Sequence, residues 1–169
     1  IALGVDDALV AQSLRSFAPL EHRIEPCGSV AGVACYNDSK ATNVDATLKA
    51  FSAFGSARPI VLLGGHDKGT DLAPLVAAAH ERAKAVVIFG EARERFLAAF
   101  GGECSGEDGM LAVIAANHME DALDAGLAAA APGDVLLLSP ACSSFDEFTC
   151  YEQRGDVFKE LVAVRSAKA

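Results

Sequence analysis

Uniformly apolar runs too short to be helices recur along this chain, each followed by a polar loop and then by a stretch with helical spacing. VACY (33–36), PIVLLGG (59–65), AVVIFG (85–90), the segment 110–115 and DVLLLSP (134–140) do not alternate apolar with polar residues, and glycine or proline bounds them. A strand with one wet face alternates, whereas a strand covered on both faces does not. Helices are expected over 44–54, 72–83, 91–100 and 118–131, with a closing helix within 153–165. Strand and helix in alternation imply right-handed crossovers. The expected fold class is therefore α/β, a three-layer Rossmann-like domain with a mostly parallel sheet and helices on both faces.

Upstream of the alternation, 5–17 reads as an amphipathic helix. Asp6 or Asp7 is its cap, Val5, Leu9, Val10, Leu14 and Phe17 form the apolar stripe, and Pro19 ends it. The segment 27–36, broken at Gly28 and Gly32, reads as a hairpin, and a boundary is expected between 19 and 22. The first residue is Ile1, so the natural amino terminus is expected to lie upstream.

The chain has 169 residues, of which 51% are hydrophobic, enough for one domain of ordinary size. Its net charge of -9 disfavours nucleic acid and anionic membranes as partners. Five cysteines without a CxxC pair fit reduced thiols in the cytoplasm, and no zinc spacing is present. No apolar run approaches the ~18 residues needed to span a bilayer.

Three loops carry the chemistry: NDSKATN (37–43), GGHDKGTD (64–71) and SPACSSFDEF (139–148). Loops leaving the carboxyl ends of parallel strands gather at one sheet edge, where ligands bind. In the first loop Thr42 or Asn43 can cap the next helix, Lys40 adds a mobile positive charge, and Asp38 can accept from hydroxyls such as those of a ribose. A turn with an N-cap and nothing more explains the same residues. In the second, the paired glycines let backbone approach a ligand closely, and Lys68 suits a carboxylate; an ordinary solvated lysine is the alternative. GxxxxGK[ST] spacing is absent there and throughout the chain, and His66 receives no role. In the third, Pro140 is expected to fix the turn, with small residues and hydroxyls heading a short helix. Cys142 invites a nucleophile reading, but no paired histidine is identifiable, so packing is the better account. Ser143 and Ser144 are candidate ligand donors. A stand-alone dinucleotide-binding oxidoreductase domain is the competing class, and the lack of GxGxxG after a strand counts against it.

In this order NDSKATN, LLGGHDKGTD, LLLSPACSSFDEF and YEQRGDVFKEL resemble the carboxyl-terminal domain of the Mur ligase family, and specifically of its D-glutamate-adding members. The resemblance implies that 1–20 is the tail of a central ATPase domain and that 21–169 is the D-glutamate-binding domain. It further implies an ATP-dependent amide ligase of peptidoglycan precursor synthesis, working through an acyl phosphate on UDP-MurNAc-L-alanine. Carried over residue by residue, Thr42, Lys68 and Ser144 contact the D-glutamate carboxylates, and Phe145 and Tyr151 line that pocket. Arg23, Asp38, Lys40 and Asn43 face the nucleotide. ATP and Mg2+ serve the full-length enzyme, with the metal ligands and the phosphate loop outside these residues, so the piece alone is expected to be inactive and to hold no catalytic residue. The implied setting is a cytoplasmic bacterial monomer. Ser143 stands where relatives often have alanine and Tyr151 where several have phenylalanine, which implies a slightly more polar pocket.

Overall fold

The structure is a computed structural model and describes residues 4, 6–15 and 20–168. Helix α1, Asp7–Arg15, is capped by Asp6, whose Oδ1 accepts from Ala8 N at 2.8 Å. Val5, Phe17, Pro19 and the side chain of Leu14 lie outside the described residues, and Leu9 is exposed.

The expected hairpin is present as β1, Glu25–Val30, and β2, Val33–Asn37. Its two-residue turn puts Ala31 and Gly32 at φ 49° and 83°, the left-handed pair whose twist matches that of the flanking strands. The alternation follows with α2 (Val44–Ser52), β3 (Ile60–Gly64), α3 (Ala73–Arg82), β4 (Ala85–Phe89), α4 (Arg93–Phe100), β5 (Ala112–Ala115), α5 (Met119–Ala128), β6 (Val135–Ala141) and α6 (Tyr151–Ser166). A 3₁₀ turn at Glu107–Gly109 occupies the approach to β5, so Met110 is exposed rather than part of the strand.

Six strands form one sheet in the order β1-β2-β6-β3-β4-β5, in which only the β1 and β2 pair is antiparallel. Successive strand residues feed opposite faces. Val61, Leu63, Val86, Ile88 and Leu137 meet Phe51, Leu75 and Phe96 of α2, α3 and α4. Ile60, Leu62, Val87, Phe89, Leu136 and Leu138 meet Met119, Leu123, Phe158 and Val162 of α5 and α6. Two apolar layers on one parallel sheet give the three-layer α/β fold that the uninterrupted apolar runs predict.

Two local expectations are corrected. Pro140 does not fix a turn, because β6 continues through it to Ala141. The pairing with β3 shifts register between Leu62 and Gly64, so the bulge accommodates a residue with no N–H to give the ladder. Nor does a short helix follow: 142–150 form a β-bridge and turns, and the next helix begins at Tyr151 with Cys150 Sγ as its cap.

Candidate strand-tip binding site

The strand order brings the three polar loops side by side. NDSKATN leaves β2, SPACSSFDEF leaves β6 and GGHDKGTD leaves β3, and these strands are consecutive across the sheet.

The first loop is pinned from below. Asn37 is fully buried, and its Nδ2 approaches His22 Nδ1 (3.0 Å), Glu25 Oε2 (3.1 Å) and Gly155 O (3.4 Å), while Oδ1 accepts from Ser39 N. Asp38 is 2% exposed and accepts from Ser139 Oγ at 2.8 Å and Ile24 N at 3.3 Å. Burial pushes its carboxyl up to about 6, opposed by the Ser139 hydroxyl, the Ile24 amide and the charge of Arg23. Its oxygens are thus committed within the fold rather than free for a ribose. Lys40 is engaged within the fold: Nζ donates to Tyr151 Oη and lies 4.3 Å from that ring's centroid. Asn43, not Thr42, caps α2, its Oδ1 accepting from Ala46 N at 2.9 Å. Arg23 is exposed, between His22 and Ile24, which both hold positive φ (61° and 47°).

The second loop turns on Gly64 and Gly65, at φ 143° and 128°. A Cβ would stand 2.0 Å from Phe89 O at Gly64 and 2.3 Å from Ser143 O at Gly65, so the close approach they permit is to neighbouring strands and loops. His66 N donates to Ser143 O at 2.9 Å, tying this loop to the third. Lys68 is exposed, and its Nζ donates to Thr42 O at 3.2 Å, tying it to the first. His66 Nδ1 lies 2.7 Å from Glu91 Oε2.

In the third loop Ser144 is 2% exposed and its carbonyl accepts from Phe148 N at 2.8 Å. Phe145 is 68% exposed and lines a cleft of about 520 Å³ with Gly90, Glu91, Asn117, Asp146 and Glu147, which includes neither Thr42, Lys68 nor Tyr151. Phe145 thus lies beside residues that follow β4 and β5. Ser143 Oγ donates to His66 O and Tyr151 Oη receives Lys40, so the two polar departures serve inter-loop contacts. Cys142 is 3% exposed, and burial pushes its thiol up to about 12. A thiol without thiolate character or access is no nucleophile, which removes the thiol-enzyme alternative.

The residue that sequence reasoning passed over is Arg154. It is fully buried, and it donates from Nε to Ser39 Oγ (2.9 Å), from Nη2 to Ser39 O (2.9 Å) and Cys142 O (3.1 Å), and from Nη1 to Ser143 O (3.2 Å). Desolvation lowers its pKa to about 10, and it stays charged at neutral pH. The signal was available: Arg154, Phe158 and Val162 share one helical stripe, so a charge stands where apolar residues are expected.

The edge offers hydroxyls, two ammonium groups and helix amides to an anionic small molecule. Glu21, His22 and Asp156 come within reach of one another, but Lys159 Nζ already sits 2.8 Å from Glu21 and 3.1 Å from Asp156. A cleft of about 660 Å³, lined by Arg58, Lys84, Cys104, Met110 and Asp134 among others, lies at the opposite strand ends and shares no residue with these loops.

Residues 22–142 match the family described as Mur ligase, glutamate ligase domain. The chain is 44% identical over 169 residues to the UDP-N-acetylmuramoylalanine--D-glutamate ligase of Acidobacterium capsulatum, covering 98% of this chain and 34% of that protein. It is 45% identical over 161 residues to the ligase of the same name from Salinibacter ruber, covering 95% and 33%. The chain thus spans about a third of the length of the curated relatives it matches. Among solved structures, a bifunctional folylpolyglutamate synthase/dihydrofolate synthase from Yersinia pestis superposes with a TM-score of 0.62 at 16% identity, covering 93% of this chain and 34% of that one. The folylpolyglutamate synthase of Mycobacterium tuberculosis, complexed with ADP and AMPPCP, gives 0.59 at 19%, covering 92% and 36%. These two share the fold. The oxidoreductase alternative finds no support.

Proposed function

The chain belongs to the Mur ligase family as its glutamate ligase domain, and from that premise we propose that it is the D-glutamate-binding domain of a bacterial, cytoplasmic, monomeric ligase joining D-glutamate to UDP-MurNAc-L-alanine. The names of its relatives support the substrate assignment. In the proposed reaction ATP phosphorylates the carboxylate of UDP-MurNAc-L-alanine, leaving ADP. The amine of D-glutamate then attacks the acyl carbonyl, phosphate departs, and the amine loses a proton as the amide forms.

This domain's share is orientation. Lys68 and the hydroxyls of Thr42 and Ser144 hold the two carboxylates, with Tyr151 and its partner Lys40 as the adjoining wall and Phe145 at the outer rim. Arg23 and Asn43 face the nucleotide, and Asp38 acts from beneath by holding Ile24 and so the backbone beside Arg23. Presenting the amine correctly lowers the barrier by up to ~7 to 11 kcal/mol in ideal cases. ATP binding finds support in the ADP and AMPPCP complex of a fold relative. As the family resemblance implies, Mg2+ is assigned to residues outside this chain.

The observation that carries the proposal is the Lys68 to Thr42 contact, 3.2 Å across two loops beside the third. Replacing Lys68 by Ala in the full-length ligase removes a charge-assisted contact worth roughly 1.5–3 kcal/mol, so KM for D-glutamate should rise ~10- to 150-fold. KM for ATP should stay within about twofold. Unchanged D-glutamate kinetics would remove Lys68 from the site.

A further inference from the structure

We infer that Arg154 is a positioning residue for the amino-acid substrate: its guanidinium bonds the first and third strand-tip loops beneath the site, lies against the second, and so keeps the three in register. This rests on the proposed D-glutamate site. The donors reach the first loop at Ser39 and the third at Cys142 and Ser143. The second loop lies against the same group, since a Cβ on Gly65 would stand 3.1 Å from Nη1. One side chain therefore bonds two of the loops and lies close against the third.

Its acceptors are carbonyls and one hydroxyl, and the carboxylates that oppose its desolvation, Asp146 and Glu147, act through their charge without a hydrogen bond to it. A buried charge of this kind is costly unless something opposes it, and a planar fork is needed to serve several carbonyls at fixed angles. A lysine offers the charge without the fork, and methionine offers neither.

The distribution of the proposed contacts makes the inference selective. Thr42, Lys68 and Ser144 stand one on each loop, whereas the two residues that face the nucleotide, Arg23 and Asn43, precede or belong to the first loop alone. Losing inter-loop register therefore damages D-glutamate binding more than nucleotide binding. A purely architectural arginine would affect every substrate alike.

The test is steady-state kinetics of the full-length ligase with Arg154→Lys, Arg154→Met and Lys68→Ala measured together, folding being checked by thermal melting. Arg154→Lys should raise KM for D-glutamate ~10-fold while KM for ATP and for UDP-MurNAc-L-alanine stays within about twofold, and Arg154→Met should raise it further. Equal changes in all three KM values, or a fall in kcat alone, would overturn the inference. If Lys68→Ala leaves D-glutamate use unchanged, the site reading itself fails. If Lys68→Ala impairs it and Arg154→Lys does not, only the role of Arg154 fails. Should neither Arg154 variant fold, amide exchange on the wild-type ligase decides: D-glutamate should slow exchange in 39–43, 65–68 and 142–145 together, and slowing confined to one loop would overturn the inference.

Discussion

Asp38 holds a carboxyl group where water scarcely reaches, 2% exposed and pushed up to about 6 from an ordinary 3.8. Both folded and unfolded forms carry the proton below pH 4, so the group costs nothing there. Between about pH 4 and pH 6 the unfolded chain ionises first, and stability falls as pH rises, by on the order of 2–3 kcal/mol once the folded group also ionises. Asp38→Asn keeps the acceptor for Ile24 N and removes this slope. Urea unfolding at pH 4, 5, 6 and 7 should show wild type losing stability relative to Asp38→Asn across that range; parallel profiles would mean that Asp38 does not titrate there. The sequence marks Asp38 as a polar residue at a strand end. It is silent about Ser139, 101 residues away, whose hydroxyl accompanies the carboxylate into the interior. Lys40 was legible in the same partial way: its charge was visible, while Tyr151, which fixes it, lies 111 residues on.

Helix α6 meets the loops from below through three turns, with Arg154, Phe158 and Val162 all fully buried on one stripe. Gly155 sits beside Arg154 because a Cβ there would stand 2.2 Å from His22 Nδ1 and 3.0 Å from Asn37 Nδ2. Helix propensity alone favours alanine at this position by ~1 kcal/mol. Overpacking against a buried ring costs ~1–3 kcal/mol and should win. Gly155→Ala is therefore expected to lower the unfolding midpoint rather than raise it, as a denaturant titration would register. A gain in stability would show that His22 moves aside freely. The existence of the helix was legible in YEQRGDVFKEL, and with it the oddity of an arginine on the apolar stripe. What Arg154 binds was not, because apart from the Ser39 hydroxyl its acceptors are backbone carbonyls of Ser39, Cys142 and Ser143, and a carbonyl leaves no trace in residue identity.

At the scale of the whole molecule, β6 lies between β2 and β3 and sends Leu137 to one apolar layer and Leu138 to the other. Truncating either to Ala should cost ~2–5 kcal/mol. Because both layers share the same sheet, both variants should shift a single cooperative transition, observed identically by far-UV circular dichroism and tyrosine fluorescence. Probes that separate in either variant would mean that the two faces unfold independently. By itself the sequence determined the class of fold and the loops that matter: uniformly apolar runs admit only strands covered on both faces, and glycines, hydroxyls and lysines mark where those strands end. The tertiary structure alone decided that the β6 loop stands between the other two, that Phe145 lines a cleft with residues of the β4 and β5 tips, and that one buried guanidinium bonds two of the loops beside the third. Strand order and backbone pairing depend on contacts between residues about a hundred positions apart, and local patterning cannot encode them.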